Sequence, residues 1–370
     1  MSLENINLSI ICGGQSAEHS ISIRSAKNVA HHALSITPNV SIVYITMQGE
    51  WKKLSSTQDF IVSEGLSGDN LLGETLQLTP GKSSPWCIAD NGIACIVDAV
   101  FPLVHGTTGE DGCLQGLLQI LDLPYVGANV LGSAIGMHKD VVKQLWKNQG
   151  LPTCEWRVIT NNPMTHISYD EIVKQLGGNL FVKPASQGSS FGVSHVLDKQ
   201  SYDKAVALAL SYDGCIIVEP EIAGREIECS VQGYGDSLHV SLPGEHIVHG
   251  DFYSFDEKYK DSSLSTTQTP AILSDLQQTE IQLLALRACH AVYCEGMARV
   301  DFFVTDSGIY LNEINTIPGF TDISLYPANW EAGGVSIVDL IKLQLNSAIS
   351  MYQENKSVIC DVVAQHENKQ

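Results

Sequence analysis

GMARVDFFVTDSGIYLNEINTIPGFTDISL, residues 296–325, decides how the rest of the chain is read. Two apolar runs, 299–305 and 309–315, flank Asp306-Ser307-Gly308. A three-residue loop ending in Gly predicts a hairpin closed by a type I turn and a bulge, because Gly takes φ > 0 without steric cost. With Thr305 facing Ile309, Asp301 falls opposite Glu313 and Arg299 opposite Asn315. Strand side chains alternate with period two, so all four share one face. Two carboxylates directly across an antiparallel pair repel, and a cation between them removes that cost. Asp, Glu and Asn offer hard oxygen ligands suited to Mg²⁺, which takes one or two carboxylates plus substrate phosphates. The hairpin reads as a metal platform for a nucleotide; a solvated polar face on an ordinary hairpin fits the same residues.

Working outward, 370 residues point to two or three domains. Charged residues at 17%, hydrophobic residues at 44% and 31 Gly describe a soluble, loop-bearing globular chain. Lys+Arg 21 against Asp+Glu 41 gives a net charge of −20, which argues against general nucleic-acid binding. The ten Cys include no C-x-x-C pair, and Cys12, Cys95, Cys215 and Cys229 lie in apolar strand-like runs. Buried, reduced thiols and a cytoplasmic location are expected. The first residues carry no secretory pattern, and no apolar run approaches the ~20 residues of a membrane helix.

Residues 1–128 read as alternating strands (8–12, 40–46, 94–104) and helices (within 16–34, and 113–121), an α/β pattern with ligand loops at strand ends. The loop 13–19, GGQSAEH, is not G-x-G-x-x-G and by itself is a tight turn. Glu18, near a helix start, could meet a substrate ammonium group. His105 closes a buried strand, where ligands gather, although a hydrogen-bonded turn residue is the plainer reading. A helix over 130–148 carries Lys139, and Gly150-Leu151-Pro152 ends it. Another helix follows at 169–176, then a strand over 179–184 carrying Lys183.

The next stretch, QGSSFGV (187–193), is not a Walker A loop. Its small residues and backbone N–H groups could wrap a polyphosphate; a Gly/Ser hairpin loop is the alternative. A strand at 215–219 runs into a hinge at 219–222, where Pro220 cannot donate a ladder bond, and a strand restarts over 225–234. Such a hinge suits a flat ligand such as adenine. Glu226 could bind ribose hydroxyls or simply be a surface acid. Residues 244–270 form a long polar stretch, functional or disordered. His246-x-x-His249 within it lacks a third ligand pattern for a metal. A helix over 273–295 should end at Gly296, a last helix spans 335–353, and 354–370 should fray or lie on the surface.

Taken together, several motifs resemble the ATP-grasp ligases, and within them the D-alanine–D-alanine ligases. They are GGQSAEHSIS (13–22), FPLVHGTTGEDGCLQGLLQILDLPYVG (101–127), MHKDVVK (137–143), VKPASQGSSFGV (182–193), VEPEIAGREIE (218–228), DEKY (256–259), and RVDFF with LNEINTIPGFTDISLYP (299–303, 311–327). The likeness implies an α/β and α+β chain: a Rossmann-like N-terminal substrate domain (1–128) followed by a two-part ATP-grasp fold. The two parts would be a central lid (129–219) and a catalytic unit (220–370) with a mobile loop, 244–270.

It also implies ATP and two Mg²⁺ ions, or Mn²⁺, held by Asp301, Glu313 and Asn315, with Glu313 bridging. Lys139, Lys183 and Lys258 would contact phosphates, with Ser190 in the loop that closes over them. Glu219 and Ile222 would lie at the adenine and Glu226 at the ribose. Arg299 and the Gly319 N–H would bind an oxyanion. Glu18 would hold the ammonium of the first D-alanine and Ser324 the carboxylate of the second, with His105 and Arg299 as further substrate residues. Ser189 and Tyr259 would hydrogen-bond Glu18 and pin the lid. Pro220 departs from the pattern, standing where relatives often carry Lys. The implied reaction joins two D-alanines through an acyl phosphate for peptidoglycan precursors, in a cytoplasmic homodimer with neither nucleic-acid nor membrane partners. D-lactate or D-serine is the alternative second substrate, and Tyr259 favours the dipeptide.

Overall fold

The computed structural model describes residues 2–64, 72–248 and 265–367, with side chains described to Ser357. Three sheets organise it. The first contains β1 (Leu8–Gly13), β2 (Val40–Ile45), β3 (Trp51–Leu54), β4 (Gly73–Leu78), β5 (Trp86–Ile88), β6 (Ala94–Cys95) and β7 (Ala99–Pro102), in the order β6-β5-β4-β3-β2-β1-β7. Strand β1 pairs in parallel with both β2 and β7, and all six of its residues are buried. A parallel strand covered on both faces reads as a continuous apolar run, which is how it appears in the sequence.

The single strand expected at 94–104 is two strands. Asp98 lies between them; its carboxylate accepts from the Asn7 backbone N–H and side-chain amide at 2.8 and 2.7 Å, drawing the chain aside. The helix expected over 130–148 is likewise two, Val130–Met137 and Lys139–Asn148. His138 breaks it with extended backbone, and its ring nitrogen accepts from the Val141 N–H at 3.4 Å as a cap.

The second sheet is antiparallel, ordered β10-β9-β11-β8: β8 (Arg157–Thr160), β9 (Leu180–Pro184), β10 (Ser194–Val196) and β11 (Cys215–Pro220). Helices Tyr169–Leu176 and Lys199–Tyr212 cover one face through Ile172, Tyr202, Ala205 and Ala209. Along β9 burial alternates, so Phe181 and Lys183 emerge together on the face away from those helices.

The third sheet holds β12 (Arg225–Gly233), β13 (His239–Val240), β14 (Gly244–Val248), β15 (Ser265–Gln268), β16 (Gly296–Thr305) and β17 (Gly308–Asn315). Its main path is β15-β14-β12-β16-β17. The flanks of the loop expected at 244–270 are therefore paired strands, β14 and β15. Lys258, Tyr259 and His249 lie outside the described residues. The helix expected to reach Gly296 spans Asp275–Ala291, opened by a Ser274/Gln277 capping box; Tyr293, at φ +55°, helps turn the chain into β16.

The last helix, Ile337–Glu367, outruns its expected end. Tyr352 and Lys356 bond the Asp122 carboxylate at 2.8 and 2.7 Å, and Tyr234 donates to Glu354 at 3.0 Å, which holds the start of 354–370 on the surface, one of the two outcomes expected for it.

Val142, Trp146 and Leu151 belong to the core of the third sheet, so the helix carrying Lys139, expected in the 129–219 unit, packs on strands of the 220–370 unit. Ile317, Phe320, Tyr326, Leu340 and Ile341 complete the core of the first sheet. Of the cysteines expected to be buried, Cys12, Cys95 and Cys229 are; Cys215 opens β11 and is half-buried. No described cysteine is in a disulfide. Among the described residues no helix is long and apolar enough to cross a membrane.

Candidate active site

The β16–β17 hairpin corrects its expected register near the turn and keeps it further in. Thr305 faces Gly308, not Ile309, so the loop is the two residues Asp306-Ser307. The Thr305 hydroxyl accepts from the N–H groups of Ser307 and Gly308 at 3.1 and 3.2 Å, which closes the tighter turn. A one-residue slip flips every later side chain to the other face. Here a bulge cancels it: Phe302 faces Leu311, Asp301 faces Glu313, and Asn312 is left over. Beyond the bulge Arg299 faces Asn315, as expected. The bulge has a sequence signal, since the buried positions of β17 are 309, 311 and then 314.

A third carboxylate extends the row. Glu228 on β12 faces Asp301 from the other side, so Glu228, Asp301 and Glu313 line up across three strands. Arg299 binds both Asp301 oxygens at 2.7 Å and reaches Glu228 at 3.0 Å. The Asn315 amide donates to Asp301 at 3.0 Å. Burial pushes the Asp301 carboxyl up; Arg299 pulls it down, Glu228 and Glu313 push it up again, and it stands at about 7. Burial opposes the charge on Arg299, yet Asp301 and Glu228 hold its pKa well above the usual arginine range.

One arginine thus does not offset the row, and the donor set is all oxygen. These residues fit a hard divalent cation completed by non-protein oxygens. Among the described residues no three His, Cys, Asp or Glu side chains make a closed metal site by themselves. Glu228 was not singled out in the sequence, because its place depends on a strand pairing distant along the chain.

Cations border this row. Lys139 Nζ lies 3.9 Å from Glu313 and donates to the Gln187 carbonyl at 2.6 Å; burial, more than any neighbour, lowers its pKa. Lys183 is paired at 2.8 Å with Glu219, which is paired at 2.7 Å with Lys143. Burial pushes the Glu219 carboxyl up, but Lys143 and Lys183 outweigh it and hold it at about 2. The Glu219 side chain is therefore an anion between two ammonium groups. Lys143 lies one turn after Lys139, a spacing that brings both to one helix face.

Glu18 precedes the helix His19–Ala33 and accepts a short hydrogen bond from Ser189 Oγ. Ser189 and Ser190 both sit at positive φ, +49° and +60°, a left-handed backbone that is uncommon for residues with a Cβ. Gln187 and Ser189 thus tether the 187–192 loop to Lys139 and Glu18. His105 is buried; its Nδ1 donates to the Ile317 carbonyl at 3.0 Å, while Nε2 has no partner among the described residues. Burial lowers its pKa.

Glu110, not singled out although it lies in HGTTGEDG, accepts from the N–H groups of Gly106 and Ile317 at 2.7 and 3.2 Å. Burial first and Glu18 second push its carboxyl up to about 8. Phe320 is bonded to Ser25 and Asn28 at 3.1 and 2.9 Å, docking the 317–324 segment on the first helix. The Ser324 hydroxyl accepts from the Thr321 N–H at 3.0 Å, beside Gly319.

The remaining expected residues lie around the hinge. Ile222 lines a cleft of about 500 Å³ with Cys154, Pro220, Glu221, Thr305 and Tyr310. Glu226 is half exposed, with its carboxylate 3.5 Å from the His246 ring.

Two family models match the chain: "D-ala D-ala ligase N-terminus" over residues 7–128 and "D-ala D-ala ligase C-terminus" over residues 145–346. A D-alanine–D-alanine ligase of Coxiella burnetii is 42% identical over 96% of this chain and 97% of its own length. D-alanine–D-alanine ligase A of Escherichia coli K12 is 40% identical over 96% of this chain and 99% of its own. Among solved structures, the Coxiella burnetii ligase superposes with a TM-score of 0.87 at 38% identity, over 98% of this chain and 99% of that one. The VanG D-Ala:D-Ser ligase of Enterococcus faecalis gives 0.80 at 32% identity, over 94% and 99%.

Proposed function

The chain belongs to the D-alanine–D-alanine ligase family, and from that premise we propose how its residues divide the work of joining two D-alanines at the expense of ATP for peptidoglycan synthesis. The relatives at 40–42% identity are named D-alanine–D-alanine ligases, and the D-Ala:D-Ser ligase is more distant at 32%, so D-serine or D-lactate as second substrate is not favoured.

A free carboxylate resists amide formation because its oxygen is a poor leaving group. In the proposed sequence the carboxylate of the first D-alanine attacks the γ-phosphate, giving an acyl phosphate and ADP. The amine of the second attacks the acyl carbon, the tetrahedral centre collapses, and inorganic phosphate leaves with the bonding electrons and takes up the proton that the nitrogen sheds. Positioning and charge stabilisation carry most of such a reaction. Lys139 and Lys183 bind phosphate oxygens, with Lys258 and Ser190 as further contacts. Asp301, Glu313 and Asn315 would hold Mg²⁺ or Mn²⁺, with Glu228 as a flanking carboxylate. When bound, the metal supplies charge neutralisation at the transferring phosphoryl group.

Arg299 and the Gly319 N–H stabilise the tetrahedral oxyanion. Glu18 takes the ammonium of the first substrate, and the neutral His105 ring faces the same space. Ser324 meets the carboxylate of the second. Ser189 and Tyr259 fasten the lid to Glu18, keeping water from the intermediate. Glu219 and Ile222 border the adenine and Glu226 the ribose. The three-part division, the homodimer and the cytoplasmic location belong to the same proposal.

The observation that carries this reading is the Glu228–Asp301–Glu313 row bordered by Lys139. The test is ADP release that depends on D-alanine, with the product identified by mass. ATP hydrolysis without a dipeptide product, or release only with a hydroxy acid, would refute it.

A further inference from the structure

Lys143 is among the largest fully buried side chains in the molecule, which is unusual for a lysine. Its side chain is only 2% exposed. Its ammonium lies 2.7 Å from one Glu219 oxygen and 3.2 Å from both Thr153 Oγ1 and Cys154 Sγ. The other Glu219 oxygen lies 2.8 Å from Lys183. Glu219 and Lys183 stand on neighbouring strands in diagonal register, since Glu219 faces Phe181 and Lys183 faces Ile217. Three charges are thus strung in a row, cation–anion–cation, from the interior to the site.

The charge count explains why a third member is needed. A Lys183–Glu219 pair alone would be neutral, and the ammonium would meet an anionic ligand with its charge already spent. With Lys143 on the second oxygen, the triad carries a net charge of +1. A buried charge is costly unless it is paired and hydrogen-bonded, and Lys143 has both an ion-pair partner and two hydrogen-bond acceptors. That arrangement keeps its charge in place without offering it to solvent.

We propose that Lys143 is a positioning residue for the nucleotide: by sharing Glu219, it holds Lys183 in place and leaves its charge available to the ATP phosphates. The proposal rests on the reading of Lys183 as a phosphate contact. Lys143 touches no substrate, so its effect passes through Glu219.

The experiment compares Lys143→Met, Lys143→Gln and Lys183→Met in full-length protein, reading KM for ATP, KM for D-alanine, kcat and the salt dependence of the ATP KM. Lys143→Met leaves a neutral Lys183–Glu219 pair. The ATP KM should rise roughly tenfold with a flatter salt dependence, while the D-alanine KM stays within about twofold. Lys143→Gln keeps a donor to Glu219 but not the charge, so it should behave like Lys143→Met. Recovery of the parent ATP KM by Gln would assign Lys143 a hydrogen-bonding role and overturn the proposal. Unfolding of both variants would overturn it in favour of a folding role. If Lys183→Met raises the ATP KM while Lys143→Met does not, the Lys143 proposal alone fails; if Lys183→Met leaves it unchanged, the phosphate reading of Lys183 fails first.

Discussion

Asp301 faces Glu313 across the hairpin because Asn312 is bulged out between the turn and the site. The pair, with Glu228 on the far side of Asp301, concentrates negative charge where one arginine does not balance it. Carboxylates perturbed by burial and by like charges cluster at functional sites. Asp301→Asn and Glu313→Gln should each lower kcat by about a hundredfold or more, the scale seen when a charge-stabilising contact is lost. Neither should lower the thermal midpoint by more than a few degrees, because each removes repulsion as well as attraction. Steady-state ADP release and a melting curve on the same sample check both halves; a variant with parental turnover in Mg²⁺ would remove that residue from the metal set.

Ser189 fastens the 187–192 loop to Glu18 from a backbone conformation that a side chain disfavours. Two effects therefore compete in Ser189→Gly: relief of the positive φ and loss of the hydroxyl. Hydrogen bonds to charged groups are worth about 1.5–3 kcal/mol, roughly a ten- to hundredfold change in binding. The hydroxyl should dominate, so Ser189→Gly and Ser189→Ala should both raise the KM for D-alanine by at least about tenfold. If Gly alone preserves the parental KM, the backbone and not the Glu18 bond sets the loop.

The parts of the site legible in the sequence were those written within one element. Period-two alternation exposed the hairpin and the shared face of Arg299, Asp301, Glu313 and Asn315. The turn register was not legible, because a Thr305 side-chain cap and a compensating bulge each move it by one residue, in opposite senses. Glu228 and the Lys143–Glu219 pair stayed hidden for another reason: their partners come from different elements. The bond from His105 to Ile317, 212 residues apart, is the extreme case. Helix ends failed where a local cap outcompeted periodicity, as at His138, and where tertiary contacts prolonged a helix, as at Tyr352 and Lys356.

Gly319 has little room for a side chain. A Cβ there would lie 3.0 Å from Ser324 Oγ, a hydroxyl already engaged with Thr321. Gly319→Ala should displace Ser324 by a few tenths of an ångström and shift the Gly319 N–H away from the position proposed for the oxyanion. The expected result is a kcat loss of about ten- to a hundredfold with a higher KM for the second D-alanine. Ser324→Ala should reproduce the KM effect with a smaller loss in kcat. Equal kcat values for Gly319→Ala and the parent would detach this turn from the chemistry.

Glu110 makes the stability of the chain depend on pH in a defined direction. Its carboxyl stands at about 8 against an ordinary value of 4.5, raised by burial and by Glu18 against the pull of two backbone N–H groups and Arg299. Between those two values the folded chain keeps a proton that the unfolded chain has lost. Stability therefore falls as pH rises from about 4.5 through about 8, and the full cost is present only above that window. Glu110→Gln cannot titrate, so it should escape this decline while keeping an oxygen to accept from Gly106 or Ile317. Its thermal midpoint relative to the parent should climb steadily from pH 5 to pH 9, by several degrees in all. A difference that stays constant across that range would mean Glu110 is ionised throughout, and that the N–H groups and Arg299 outweigh its burial.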